Sequence, residues 1–385
     1  MSPVASEGGH RFDEMKVMKL PIPDYIQNIA PYVPGKPIEE LEREYGISDS
    51  VKLASNENPL GPSPKAIAAL DRALARLHRY PDGAGYELVE RLASHLKVTA
   101  REIVLGNGSD DLLGMLARVL LKPGDEVVVP DPSFLMYTIV AQSAGATPVK
   151  VPLKQLCIDL DGMLERIGPR TRMVFVCNPN NPTGTVAGRQ AFESFLAAVP
   201  PHVLVVVDEA YFEFVRDRNA VSGLNYLKAE QTVVTLRTFS KAYGLAGLRV
   251  GYGVMPVPLA GYLNRVRMPF NVNSLAQAAA VAALDDVDFL KHTLDTVHQG
   301  LDFLYRELGR RGFQAFPSEA NFLLIDVQRP ADDLFERMLR QGVIVRSMRA
   351  YGYPQYIRLS VGRPEDNQRF LTALDRACAP GAQVQ

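Results

Sequence analysis

The sequence predicts a doubly wound α/β protein: a mostly parallel sheet of about seven strands, a smaller α+β unit toward the C-terminus and an extended N-terminal arm. Three observations carry this. Short β-branched runs alternate with amphipathic helical segments from about residue 51 to 254. Several runs are apolar on both alternating faces, as in strands buried on both sides of a parallel sheet. Past residue 274 the pattern changes to one long helical stretch, then a second set of strands and helices. A chain of 385 residues exceeds one ordinary core and fits this division.

Taken in order, residues 1–19 are polar and read as extended or poorly ordered. The next stretch carries Pro21, Pro23, Pro31, Pro34 and Pro37. Proline fixes φ and blocks helix interiors, so an extended arm (1–45) is expected, ending in a short helix at about 38–45 and wrapping a neighbouring surface. A large domain (46–275) follows, with strands at 102–106, 126–130, 146–151, 172–177, 203–211, 232–236 and 248–254. Helices at 110–121 and 188–199 lie between them. The small domain (276–385) continues a helical stretch at 274–311, which Gly300 need not end. Then come the strand "NFLLIDV", the helix "ADDLFERMLRQ", the strands "VIVRS" and "YIRLSVG", and a last helix near 363–377.

Bulk composition narrows the function. The net charge of −1 argues against a nucleic-acid or anionic-membrane partner recognised by bulk charge. Three cysteines without a CxxC pair, and scattered histidines, argue against a disulfide framework or a metal site. No apolar run approaches the roughly 20 residues that span a bilayer. The first residues lack a hydrophobic signal core, so a cytoplasmic protein is expected.

Ligands of open α/β sheets bind beyond the carboxyl ends of the strands, and four motifs lie there. "IVLGNGSDDLLG" places a small-residue turn before a helix starting near Asp110. It reads either as an anion site, most simply for phosphate, or as an ordinary turn capped by Ser109 or Asp110. "VFVCNPNNPTGT" crowds three asparagines at a strand end, more amides than a turn needs, and Asn181 could present one to a ligand oxygen. "VLVVVDEAY" ends a buried strand in Asp208 and Glu209, which need a cationic ring nitrogen, a metal or an arginine. In "TLRTFSKAYGLAGLRVGYG", Ser240 and Lys241 follow a strand and Arg249 begins the next. A lysine among such groups suggests an amine nucleophile or base.

In this order, the turn, "NPNNPTG", "DEAY" and "SKAYGLAGLRVG" resemble the pyridoxal-phosphate (PLP) dependent transferase fold of the large aminotransferases. With "APYVPGKP", "KLASNENPLGPSP", "RYPDG", "GNGSDD" and "YIRLSVG", the chain resembles the histidinol-phosphate aminotransferase family over about residues 21–380. The resemblance implies that Lys241 joins the PLP aldehyde and later moves the proton between Cα and C4′. Asp208 pairs with the pyridine N–H, Asn181 and Tyr211 bind the phenolic oxygen, and Phe134 stacks on the ring, where many relatives carry tyrosine. The turn ending in Gly108, the N–H groups of Ser109 and Asp110, Ser240 and Arg249 hold the phosphate. Tyr80 reaches the phosphate of a neighbouring subunit, which implies a homodimer. Tyr32, Asn58, Arg346 and Arg358 are implied for substrate, and Asn56, Glu57, Asn271 and Asn273 are candidates for the imidazole side.

The implied reaction exchanges an amine between L-histidinol phosphate and 2-oxoglutarate, giving imidazole-acetol phosphate and glutamate, with the biosynthetic flow reversed. Rivals are an aromatic-amino-acid aminotransferase and a PLP-dependent decarboxylase of a phosphorylated amino acid. A PLP-sensing regulator would need a DNA-binding domain, and the proline-rich arm has no basic helix-turn-helix pattern.

Overall fold

The computed structural model describes residues 20–32 and 37–379. The expectations for residues 1–19, and part of the "APYVPGKP" motif, lie outside the described residues.

Alternation in sequence becomes a seven-stranded sheet. Its strands are β2 (Ile103–Gly106), β3 (Glu126–Asp131), β4 (Thr147–Pro152), β5 (Thr171–Cys177), β6 (Leu204–Asp208), β7 (Val233–Thr238) and β8 (Gly251–Val254). The spatial order is β2-β8-β7-β6-β5-β3-β4. The run from β7 to β4 is parallel, and β8 lies antiparallel between β2 and β7. Strand β6 explains the two-sided burial. Leu204 and Val206 join the core under helices α5 (Ser109–Leu120), α6 (Met136–Ser143) and α9 (Val257–Val266), while Val205 and Val207 join the opposite core under α7 (Leu160–Glu165) and α8 (Arg189–Ala198). An all-apolar strand is what two covered faces require. A third core joins α4 (Tyr86–Leu96) and α10 (Ser274–Leu284) to the β2–β8 edge.

Two local readings are corrected. The helical stretch from residue 274 is two helices, α10 and α11 (Val287–Arg310). The break falls at Asp285–Asp286, where Asp286 has left the helical region at ψ 64, and Gly300 lies inside α11. Arg249 does not begin a strand. It sits two residues before β8, in the left-handed region at φ 58, which interrupts an otherwise continuous apolar run.

The C-terminal unit is a four-stranded antiparallel sheet, β12 (Arg346–Ser347), β13 (Tyr356–Ser360), β10 (Phe322–Asp326) and β9 (Gln314–Phe316) in spatial order. Residues of α11, α12 (Ala331–Leu339) and α13 (Pro364–Cys378) bury its apolar face, with Leu301, Leu304, Phe370 and Leu374 at the centre. The chain before the large sheet is fastened here as well. Strand β1 (Val51–Lys52) pairs in parallel with β11 (Val343–Ile344), and Leu41 of α2 (Ile38–Tyr45) packs with Leu339 and Ile344. Before it, α1 (Asp24–Gln27) lies against α6 and leaves Tyr25 and Ile26 exposed. No helix among the described residues is long and apolar enough to cross a membrane.

Candidate active site

One cleft gathers most of the expected residues. Tyr32, Ser109, Asp110, Phe134, Asn181, Asp208, Tyr211, Ser240, Lys241, Arg249, Arg346 and Arg358 all line it. Asp208 ends β6, and Lys241 follows the end of β7 by three residues, so the cleft sits beyond the carboxyl ends of the parallel strands.

The anion end is built from backbone. Gly108 caps α5 at φ 81, and α5 starts at Ser109 with its N–H groups unpaired by the helix. A Cβ on Gly108 would fall 2.6 Å from Arg249 Nη2, and one on Gly251 would fall 2.6 Å from Ser109 N. Only glycine leaves room at both places. The left-handed turn at Arg249 sends its guanidinium back to Asp110 at 3.3 Å. The Ser240 hydroxyl accepts from Thr238 Oγ1 at 2.9 Å. The motif is therefore a helix N-terminus backed by a hydroxyl and a guanidinium, which favours the phosphate reading over a plain capped turn.

The asparagine motif divides its labour. Asn178 accepts from Ala187 N at 2.7 Å and donates to Val221 O at 2.7 Å. Asn180 accepts from Ser133 Oγ at 2.7 Å and donates to Thr183 Oγ1 at 3.0 Å. Both tie loops together. Asn181 lines the cleft, and its Oδ1 accepts from Arg358 Nη1 at 2.5 Å. The amide orientation is thereby fixed, with its NH2 as the remaining end.

The two adjacent carboxylates separate as well. Glu209 takes the arginine option: Arg237 Nη2 lies 2.8 Å from its Oε2, with both side chains buried. Among the described residues no cation pairs with Asp208. It accepts from the Tyr137 hydroxyl at 2.7 Å and from Ala210 N at 3.2 Å. Burial pushes its carboxyl up to about 6, against the Tyr137 hydrogen bond. Among the described residues no cluster of His, Cys, Asp and Glu could hold a metal.

Lys241 Nζ donates to Ser55 O at 3.2 Å and lies 5.7 Å from the Tyr211 ring centre. Burial, then the Arg358 charge, brings its amine down to about 8. Tyr211 accepts from Asn56 Nδ2 at 3.0 Å, so its own proton is free to be donated. Arg346 and Arg358 are direct cross-strand partners on β12 and β13. Directly opposite residues of an antiparallel pair share one face of the sheet, so both side chains serve the same side of the cleft.

Some expected residues stand elsewhere. Asn58 does not line the cleft: it donates to Ala242 O at 2.9 Å and Thr293 Oγ1 at 3.2 Å, bracing the loop that carries Lys241. Asn271 donates to Leu105 O and Asp111, and Asn273 caps α10, so both amides are committed outside the cleft. Tyr80 is 83% exposed and stacks on Phe270 at 4.7 Å, away from this protomer's cleft. Three residues that the sequence reading passed over belong to the site: Tyr351 and Cys177 line it, and Tyr137 supports Asp208. None of the three is marked by residue type or spacing; Tyr137, three residues after Phe134, reads as core.

A lysine, an anion cradle and a buried carboxylate gathered beyond the strand ends define the class of the large PLP-dependent transferases. The family model "Aminotransferase class I and II" matches residues 48–374. Histidinol-phosphate aminotransferase of Moorella thermoacetica is 49% identical over 364 residues, covering 94% of each chain. That of Desulfotalea psychrophila is 48% identical, covering 94% of this chain and 97% of its own. The crystal structure of the Sinorhizobium meliloti histidinol-phosphate aminotransferase with pyridoxal-5′-phosphate superposes with a TM-score of 0.85 at 29% identity, over 96% of this chain and 98% of that one. The chain belongs to the histidinol-phosphate aminotransferases, within the class I and II aminotransferase family.

Proposed function

We propose that this chain uses PLP to exchange an amino group between L-histidinol phosphate and 2-oxoglutarate, with the biosynthetic flow toward histidinol phosphate. The carrying observation is the cleft itself. It holds an amine, a ring-nitrogen partner and a phosphate cradle on one side, and two opposed arginines on the other.

The residues fit the cofactor. Glycine at 108 and 251 leaves the close backbone approach that a phosphate needs, beside Ser240 and Arg249. Asp208 offers a buried carboxylate for a ring N–H. When bound, PLP supplies an aldehyde that captures amines and a cationic ring that withdraws electron density from the substrate Cα. Phe134 would cover the ring face, and the Asn181 NH2 with the Tyr211 hydroxyl would hold its phenolic oxygen.

The chain's own work is positioning and proton transfer. An amine brought down to about 8 by burial is a competent base near neutral pH, so with the cofactor bound Lys241 would take the proton from the substrate Cα and hold it for return. Arg346 and Arg358 take the substrate's far anion. This is the phosphate of histidinol phosphate in one half-reaction and a carboxylate of 2-oxoglutarate in the other. A guanidinium fork suits both. Tyr32, from the arm, closes the same end.

We further propose a cytoplasmic homodimer in which Tyr80 serves the neighbouring site, supported by its exposure and its stack on Phe270. We divide the chain into an arm (1–45), a large unit (46–275) and a small unit (276–385), with Leu41 of α2 packed on Leu339 and Ile344 tying the end of the arm to the small unit.

A substrate panel tests the assignment. With 2-oxoglutarate, kcat/KM for histidinol phosphate should exceed that for phenylalanine by at least about tenfold, with parallel ping-pong lines. A preference for phenylalanine would move the chain to the aromatic aminotransferases. Carbon dioxide release without an oxo acid would make it a decarboxylase.

A further inference from the structure

We infer that Tyr137 is a positioning residue that holds the Asp208 carboxylate ionised and aimed at the cofactor's ring nitrogen. The inference rests on the proposed pairing of Asp208 with that nitrogen.

The geometry is specific. Tyr137 lies in the first turn of α6, three residues past Phe134, and its ring stacks on Phe175 of β5 at 4.4 Å and 7°. The Phe134 ring meets it edge-on at 5.6 Å. This sandwich aims the hydroxyl across β5 at the end of β6, where it donates to Asp208 Oδ2 at 2.7 Å. Tyr137 is 1% exposed and Asp208 is 3% exposed, so the bond between them is shielded from bulk solvent.

The surroundings make that donor matter. Asp110 of α5 and the adjacent Glu209 bring further negative charge toward Asp208, and the Cys177 thiol of β5 faces the same Tyr137 hydroxyl. The two carboxylates, with burial, favour a neutral Asp208 carboxyl. Tyr137 and the Ala210 N–H work the other way, since hydrogen bonds to the charged form stabilise it. A neutral Asp208 could not keep a ring nitrogen cationic. The same tyrosine also touches the aromatic ring proposed to cover the cofactor, so one side chain aligns both the face and the edge of the binding slot.

The test uses the full chain and two cofactors: PLP, and its analogue with a C–H in place of the ring nitrogen. Wild type should bind PLP more tightly than the analogue. In Tyr137→Phe, PLP affinity should fall about tenfold while analogue affinity stays within about twofold. Replacing Tyr137 with 4-aminophenylalanine, which restores a donor at the same ring position, should recover most of the PLP affinity. Equal losses for both cofactors, no loss for PLP, or failure of that rescue would overturn the role of Tyr137. Equal binding of the two cofactors by wild type would overturn the Asp208 pairing first, and this inference with it.

Discussion

Arg346 and Arg358 stand directly opposite each other as Cα partners on β12 and β13. Arg358 is 7% exposed, and it is held by Asn181 Oδ1 and by Ala54 O at 2.6 Å. One guanidinium thus contacts both the loop beside the cofactor slot and the segment before "SNENP". Both arginines line the cleft, so together they give its mouth a positive character that suits an anionic ligand.

Replacing Arg358 with lysine keeps the charge but loses the planar fork. It should lower kcat/KM for both histidinol phosphate and 2-oxoglutarate by about a hundredfold, mostly through KM. Arg346→Ala should cut both by a smaller factor. A loss confined to one substrate would mean that the anions do not share this pair, and steady-state kinetics with each substrate varied in turn decide it.

Lys241 and Asp208 should leave opposite marks on the stability of the cofactor-free chain. Burial brings the Lys241 amine from 10.5 to about 8, so between those values the unfolded chain carries a proton that the folded one has released. Stability therefore rises with pH across about 8 to 10.5. Burial lifts the Asp208 carboxyl from 3.8 to about 6, so there the folded chain holds the extra proton and stability falls as pH rises through that window. Denaturant melts of Lys241→Met should lose the alkaline gain, about 3 kcal/mol, and Asp208→Asn should lose the acid-side fall. Lys241→Met should also abolish turnover while retaining some PLP binding.

Gly108→Ala tests the cradle. The position needs φ 81, and the new methyl would meet Arg249 Nη2. The left-handed backbone alone costs about 1 kcal/mol. Displacing the guanidinium should weaken PLP binding by about tenfold, measured by equilibrium dialysis. Pyridoxal, which lacks the phosphate, should lose much less. A parallel loss with pyridoxal would assign the effect to general damage.

How much of this was legible follows from how local each signal is. The strand ends were readable because five apolar residues running into Asp208 state both a buried strand and a cost at its end. The Glu209–Arg237 pair was not, because it depends on β6 lying beside β7, a fact of sheet order. Tyr137 was hidden for a different reason. An aromatic three residues after another on a helix reads as core, and only the distance to Asp208 distinguishes it. Asn58 erred the other way: its motif placed it near the site, but its amide is spent bracing Ala242. Arg249 was read as a strand start because "LRVGYGV" is continuous, and nothing in residue type announces a left-handed arginine.

Tyr80 offers the sharpest test of assembly. It does not line the cleft of its own chain, and it stands exposed in a stack with the exposed Phe270, an apolar pair suited to a second copy of the chain. If it serves the neighbouring site, two damaged chains can repair each other. Lys241→Ala is dead in its own cleft but still donates Tyr80, and Tyr80→Ala keeps its lysine but donates nothing. In a mixed dimer one cleft then has Lys241 from one chain and Tyr80 from the other, and the second cleft has neither. After co-refolding at equal amounts, half the dimers are mixed and one cleft in each is whole, so about a quarter of wild-type activity should appear. That is well above the average of the two parents if Tyr80→Ala alone is strongly impaired. Were Tyr80 to act within its own chain, no mixed dimer would contain a complete site, and activity would stay at that average.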